Sequence, residues 1–276
     1  MKKSILILSS FLMVSTSCIQ TSGSNGKKGE DGISFSLNGN EGKGPIKEKT
    51  VTENFSRVEV SNAIEAEIFK STENKVVISA PYDILEYVDA SLQSDGTMRI
   101  GINNNSSWNT GISTKNIRVK IYTKELTFVE ANSSAEITLR DKFSNEKMEV
   151  NVSSSGEMMG DLETNNLKMY IGSSGEFEGT IWADVGDISV NSSGDANLKG
   201  KIQNAAISVS SSGYLDGKNL EIKNGKLEAS SSGSLDVMIS VNANADASSS
   251  GSINIKKMGN AAITKSESSS GSVSIQ

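Results

Sequence analysis

A chain of 276 residues with 27 basic and 33 acidic side chains, no histidine and one cysteine stands apart from several classes at once. One cysteine excludes an internal disulfide framework, and the acidic balance argues against a basic face for nucleic acid or an anionic membrane. With 5% aromatics and 25 glycines, the composition suits many short strands joined by many turns.

The N-terminus reads as an export signal. Lys2 and Lys3 precede the apolar run "ILILSSFLMV", too short to span a bilayer and suited to a signal peptide. The run enters "STSC", where the small residue Ser17 precedes Cys18. This arrangement resembles a bacterial lipoprotein signal, which implies residues 1–18 as the signal and Cys18 as the lipidated residue. Ser15 departs from that pattern, which usually has Leu there. A secretory signal cut nearby and a buried thiol at Cys18 are the alternatives. Loss of Lys2 and Lys3 leaves 25 basic against 33 acidic residues, a net charge near −8. The expected membrane contact is therefore a lipid at the N-terminus rather than a charged patch. That places the chain in a bacterial envelope, at the outer membrane, facing the periplasm or the exterior. Residues 19–50 are rich in Gly, Ser, Asn and charge without a sustained apolar period, and predict a flexible tether.

One folded domain is expected over residues 51–276, less regular over 51–125 and regular over 126–276. "FSRVEV", "AEIFK", "KVVISA", "MRIGIN" and "IRVKIYT" alternate as half-buried strands do. "PYDILEYV" predicts a helical turn or two after Pro81, and "NNNSSWNTG" predicts a loop with Trp108 at its tip.

A Ser-Ser-Gly step then recurs. With its third residue as position zero, the zeros fall at Ala135, Gly156, Gly175, Gly194, Gly213, Gly233, Gly251 and Gly271, spaced 21, 19, 19, 19, 20, 18 and 20 apart. A steady period near twenty marks a solenoid with one coil per repeat. Position −6 is apolar from Val129 to Ala245, −4 from Ala131 to Ala247, and +2 from Ile137 to Val273. The odd positions are mostly Ser, Asn, Glu and Asp. Strand side chains alternate faces, so even positions are expected inside. The sequence predicts an all-β parallel β-helix of about 19–20 residues per coil, coils about 4.8 Å apart, with right-handed winding as the default for parallel crossovers.

Position −2 is Ser133, Ser154, Ser173, Ser192, Ser211, Ser231, Ser249 and Ser269; parity puts it inside, as a small residue at a corner that Gly turns. Position −1 is Ser as well and is expected outside. A repeated Ser nucleophile would need a base, typically His, and the chain has none. The serines are read as a structural corner ladder.

Glu157, Glu176 and Asp195 at +1, with Glu178 at +3, form an outward acidic face. Clustered oxygens suit calcium, but the Gly-Asp nonapeptide of calcium-binding β-rolls is absent, and the bland reading is a solvated face. Polysaccharide-cleaving β-helices need clustered acids with basic partners; no arginine follows Arg140. Tyr170, Tyr214 and Trp182 are candidate stacking platforms for a glycan, and they do not share one column. No cofactor or metal is implied. Lys265 and Glu267 replace apolar residues at −6 and −4 of the last coil, as in an end cap against association through open strand edges. A polar docking surface is the alternative, and self-association stays open.

"FSRVEVSNAIEAEIFK", "VVISAPYDILEYV" and "SDGTMRIGIN", followed by Ser-Ser-Gly coils, resemble the auto-transporter adhesin "head GIN domain" family of Bacteroidetes-type bacteria. The likeness spans roughly residues 51–276. It implies a β-helical fold and an adhesin label, without binding residues to carry over. The expected role is non-enzymatic: an envelope lipoprotein binding a glycan or protein ligand through its coil faces. A structural or sensory lipoprotein without external ligand, or a glycan-active enzyme, are the alternatives.

Overall fold

A computed structural model describes residues 41–103 and 111–276. The expected signal with Cys18, the tether up to residue 40 and Trp108 lie outside the described residues. The first strands are β1 (Ile46–Val51), β2 (Arg57–Val60), β3 (Glu65–Lys70), β4 (Lys75–Pro81), β5 (Val88–Leu92), β6 (Thr97–Ile102), β7 (Arg118–Thr123), β8 (Phe128–Ala131) and β9 (Glu136–Leu139). The repeats supply β10 (Phe143–Val152), β11 (Glu157–Met159), β12 (Leu162–Ile171), β13 (Glu176–Val190), β14 (Asp195–Val209) and β15 (Tyr214–Ala229). They end with β16 (Ser234–Ala247), β17 (Ser252–Lys257), β18 (Ala262–Glu267) and β19 (Ser272–Ile275). All nineteen join one hydrogen-bonded sheet. The chain is a β-solenoid of stacked parallel coils.

The apolar columns build the core. Val150, Met169, Ile188 and Ile207 stack at one position, Val152, Ile171, Val190 and Val209 at a second, and Met158, Phe177, Ala196 and Leu215 at a third, all buried. Each such side chain contributes roughly 1.5–3 kcal/mol on full burial if large. Registers are close to the repeat length: Leu162 pairs with Ile181 and Ile181 with Gly200.

The serine corner departs from the alternation. Both serines of every step are exposed, from Ser133 and Ser134 to Ser269 and Ser270. The −2 column (Ser133, Ser154, Ser173, Ser192, Ser211, Ser231, Ser249 and Ser269) is therefore outside, not inside. Alternation of faces holds only for extended backbone. Here the −2 residues have φ of 46 to 51° and the −1 residues 60 to 66°. Two successive left-handed residues closed by the zero N–H on the −3 carbonyl, as Gly156 on Ser153 at 2.9 Å, make a type I′ turn. The turn resets the parity. Each non-glycine residue in this region costs on the order of 1 kcal/mol. An offset comes from the stack, where the −1 N–H of every coil from Ser134 to Ser250 donates to the −2 carbonyl of the next coil, at 3.0 Å for Ser155 to Ser173.

The glycine acts differently from expectation as well. None of the zero-position glycines has a positive φ. Each lies against the coil before it: a Cβ at Gly156 would meet Ala131 O at 2.4 Å, and one at Gly194 would meet Ile171 O at 2.7 Å. Close backbone approach, rather than a special dihedral, requires glycine there.

The N-terminal part contains true coils in a different order. β2 and β3 flank Asn62 and Ala63, which have φ of 63 and 53° and repeat the serine turn. This coil stacks on β8 and β9, pairing Val60 with Ala131 and Ala66 with Ile137. On its other flank lie β6 and β7, also parallel, pairing Val60 with Ile100 and Ile68 with Ile121. The first coil in sequence is thus second in space. β5 pairs antiparallel with β6, β4 with β7, and β1 with β4. Leu85–Tyr87 forms a single 3-10 turn. β1 falls inside the expected tether, so among the described residues regular structure starts at Ile46 rather than Val51. Its IKEKTV sequence places charged residues on an edge strand, which discourages further strand addition.

Candidate functional site

On one side of the stack each coil bends. Asn145, Thr164, Ala183 and Ile202 pair in register before the bend, and Lys147, Asn166, Val185 and Asn204 pair after it. The residues between them, Glu146, Asn165, Asp184 and Gln203, drop out of the strand register. They turn outward. Buried Thr164 ties the bend by donating its hydroxyl to Asn166 O at 3.2 Å. Beyond it runs an amide ladder: Asn242 donates to Asn224 at 2.8 Å, Asn224 to Asn204 at 2.9 Å, and Asn204 to Asp184 O at 3.4 Å. Val185 interrupts this column, 46% exposed where its neighbours in register are Asn166 and Asn204.

The bend leaves a groove of about 580 Å³ running along the stack across four coils. One wall is Ser144, Glu163, Trp182 and Lys201, in register from strand to strand. The other is Glu146, Asn165, Asp184 and Gln203. Trp182 is 39% exposed, enough to present ring surface. Lys142 reaches it: its Nζ lies 5.0 Å from the Trp182 ring centroid and 2.5 Å from Glu163 Oε2. Lys201 is engaged with Glu221 at 2.8 Å. An aromatic plane flanked by planar amide and carboxylate groups can stack on, and hydrogen-bond to, a hydroxyl-rich ring.

The other candidates lie elsewhere. Tyr170 covers Gly172 at the serine corner, with its hydroxyl 3.3 Å from Asn191 Oδ1; a Cβ at Gly172 would meet that hydroxyl at 2.8 Å. Tyr214 stands in the +1 column and donates to Asp236 Oδ2 at 3.2 Å. Lys218 bridges Asp216 and Asp236 at 3.2 and 3.3 Å. Hydrogen bonds to Asp216, then to Tyr214 and Asp236, hold its ammonium above the ordinary lysine range. Asp236 is buried and also accepts from Asn254 at 2.7 Å. The three aromatics thus stand at three different coil positions, −5, +7 and +1, and form no common site.

Glu157, Glu176 and Asp195 stack in register, and Glu136 and Glu65 extend the column to five carboxylates. Burial pushes the Asp195 carboxyl up, with Asp216 adding to it. Glu178 lies one column away, paired with Lys199 at 3.3 Å. Among the described residues no three acidic or sulfur side chains gather to hold a metal ion. At the far end, Glu267 accepts the Val273 N–H at 2.7 Å and Lys265 donates to Val273 O at 3.3 Å, with 3.2 Å between the two side chains. The backbone groups of the last edge strand are thereby occupied at Val273.

Sequence reasoning reached Trp182 but missed its partners. A signal was present: Lys142, Glu163, Trp182 and Lys201 each stand seven residues after a zero position.

A family model described as "Putative auto-transporter adhesin, head GIN domain" matches residues 54–260. Among solved structures, a putative adhesin from Parabacteroides distasonis is similar, with 16% identity and a TM-score of 0.76. A putative adhesin from Parabacteroides merdae (18%, 0.72) and a putative lipid binding protein from Parabacteroides distasonis (19%, 0.72) are similar too. Each alignment covers 85% of this chain and 98% of the other. At these identities the likeness establishes the shared fold. No curated protein matches.

Proposed function

The chain belongs to the "Putative auto-transporter adhesin, head GIN domain" family, and on that premise we propose a non-catalytic, adhesin-like binding protein of the cell envelope that holds an extended glycan lengthwise in the Trp182 groove. One observation carries the reading: the groove follows the stacking axis across four coils, so a linear polymer lying in it meets a new set of polar side chains at every coil. Trp182 supplies the stacking plane, and Asn165 and Gln203 the neutral amides. The adhesin descriptions of the family and of similar structures support binding over catalysis. One relative carries a lipid-binding description; that reading has less support here, because the apolar columns face each other in a filled interior.

The lipid anchor belongs to the same proposal. Its support is the basic start, the apolar run and Cys18. Labelling with a clickable fatty acid tests it: the wild type incorporates label and Cys18→Ser does not. Equal labelling of both ends the anchor at Cys18.

Calorimetric titration with glycans selected from an array tests the groove. Trp182→Ala should weaken binding by roughly tenfold or more, the scale of losing one aromatic contact. Binding that is indifferent to Trp182→Ala refutes the groove. Protease shaving of intact cells addresses the alternative, a structural or sensory lipoprotein: a protein wholly resistant to shaving does not face the exterior as an adhesin.

A further inference from the structure

We infer that the ligand of the Trp182 groove is a glycan bearing free amino groups, one ammonium of which takes the place that Lys142 holds between the Trp182 ring and Glu163. The inference rests on the glycan reading above and specifies its chemistry. The structure itself demonstrates that an ammonium fits there: Lys142 Nζ lies 5.0 Å from the ring centroid, within cation–π range, and 2.5 Å from Glu163 Oε2. The occupant is displaceable. Lys142 and Glu163 are 47% and 49% exposed, and exposed ion pairs of this kind stabilise little. Lys142 can swing its flexible stem into water while a ligand's ammonium enters.

Charge along the groove points the same way. Glu146 and Asp184 line the opposite wall, and neither has an ion-pair partner among the described residues. Lys201 is already neutralised by Glu221 at 2.8 Å. A polymer with acidic sugars would meet three carboxylates with both nearby lysines engaged. A polymer with amino groups would meet a carboxylate on successive coils, about 4.8 Å apart. An ammonium enclosed between ring and carboxylate is also partly dried by the sugar that carries it, which strengthens both contacts.

The test compares two β-1,4-linked glucosamine oligosaccharides of equal length, one fully N-acetylated and one with free, protonated amines. Both are titrated into the full chain by calorimetry. The free-amine form should bind about tenfold tighter or better, with the gap narrowing at high salt. Glu163→Gln should close the gap by weakening the free-amine form far more than the N-acetylated form. Lys142→Ala should widen it by vacating the slot. Circular dichroism confirms that these surface variants keep the sheet. Equal affinities, a preference for the N-acetylated form, or a gap that survives Glu163→Gln overturns the inference while the glycan reading stands. If no glycan of any kind binds, the glycan reading falls and this inference with it.

Discussion

The two ends of the solenoid reach the same layered geometry by different means. In the N-terminal part, β2 and β3 pair with strands far away in sequence, on both flanks, and antiparallel β1, β4 and β5 close the end. In the repeats, each coil pairs with the residues one period on, and the stack ends on a clasp of two charged side chains. What the layers share is the corner, not the sequence: Asn62-Ala63 makes the turn that Ser-Ser makes later. The lesson is that a coil is specified by two left-handed residues and three inward apolar columns. The rest of the repeat is free to vary.

The comparison can be broken most strongly in the core. Phe177 is fully buried, with Met158 on one side and Ala196 on the other. Phe177→Ala should cost about 3–5 kcal/mol in denaturant unfolding, the range for emptying an aromatic site. A loss under 1 kcal/mol would mean that repeats tolerate voids that compact cores do not. Next comes position zero. Gly194→Ala pushes a methyl against Ile171 O and should cost roughly 1–3 kcal/mol. Ala135, at the same position in the layer beside the Asn62 turn, should accept glycine for less than about 1 kcal/mol, the usual backbone-entropy difference. Equal effects would erase the distinction between the two regions.

The third way concerns the open end. Lys265→Val with Glu267→Val should release the Val273 backbone groups and bring concentration-dependent self-association, read by analytical ultracentrifugation. Acid should act in the same direction. The Val273 N–H, then Lys265, hold the Glu267 carboxyl below its ordinary range. The stabilisation is therefore complete above the ordinary glutamate pKa and is lost as pH falls through the lowered value. A double variant that stays monomeric at every concentration refutes the clasp. The smallest effect is expected from Val185→Asn, which fills the interruption in the amide ladder between Asn166 and Asn204. It should add about 0.5–1 kcal/mol, seen as a raised Tm; an unchanged Tm would show that the ladder is decoration.

How much of this could be read beforehand follows from where the backbone is extended. The inward columns from Val129 to Val273 were legible because alternation holds inside strands. Ser154 was misread because its φ of 51° breaks that rule, and no composition signal announces left-handed serine. β1 was hidden because IKEKTV pairs on one side only and keeps its charges, so its pattern resembles the preceding tether. Trp182 stood out, with Tyr170 and Tyr214, as a candidate stacking platform. Its slot did not, because the coil between Ala135 and Gly156 is longer than its neighbours and brings Lys142 across by a side-chain reach rather than by register.

The displaced first coil has a consequence for how the molecule assembles. β2 and β3 leave the ribosome early, but their flanks are filled only when β6–β7 and then β8–β9 have been made. Closing those long loops is the entropically expensive step, and it comes first. Every later coil needs only the next twenty or so residues and an existing edge to settle on. The N-terminal block is thus the template, and the serine coils are growth upon it. A chain interrupted within the repeats would keep a finished template with fewer rungs, whereas one missing β2 would have nothing on which to begin.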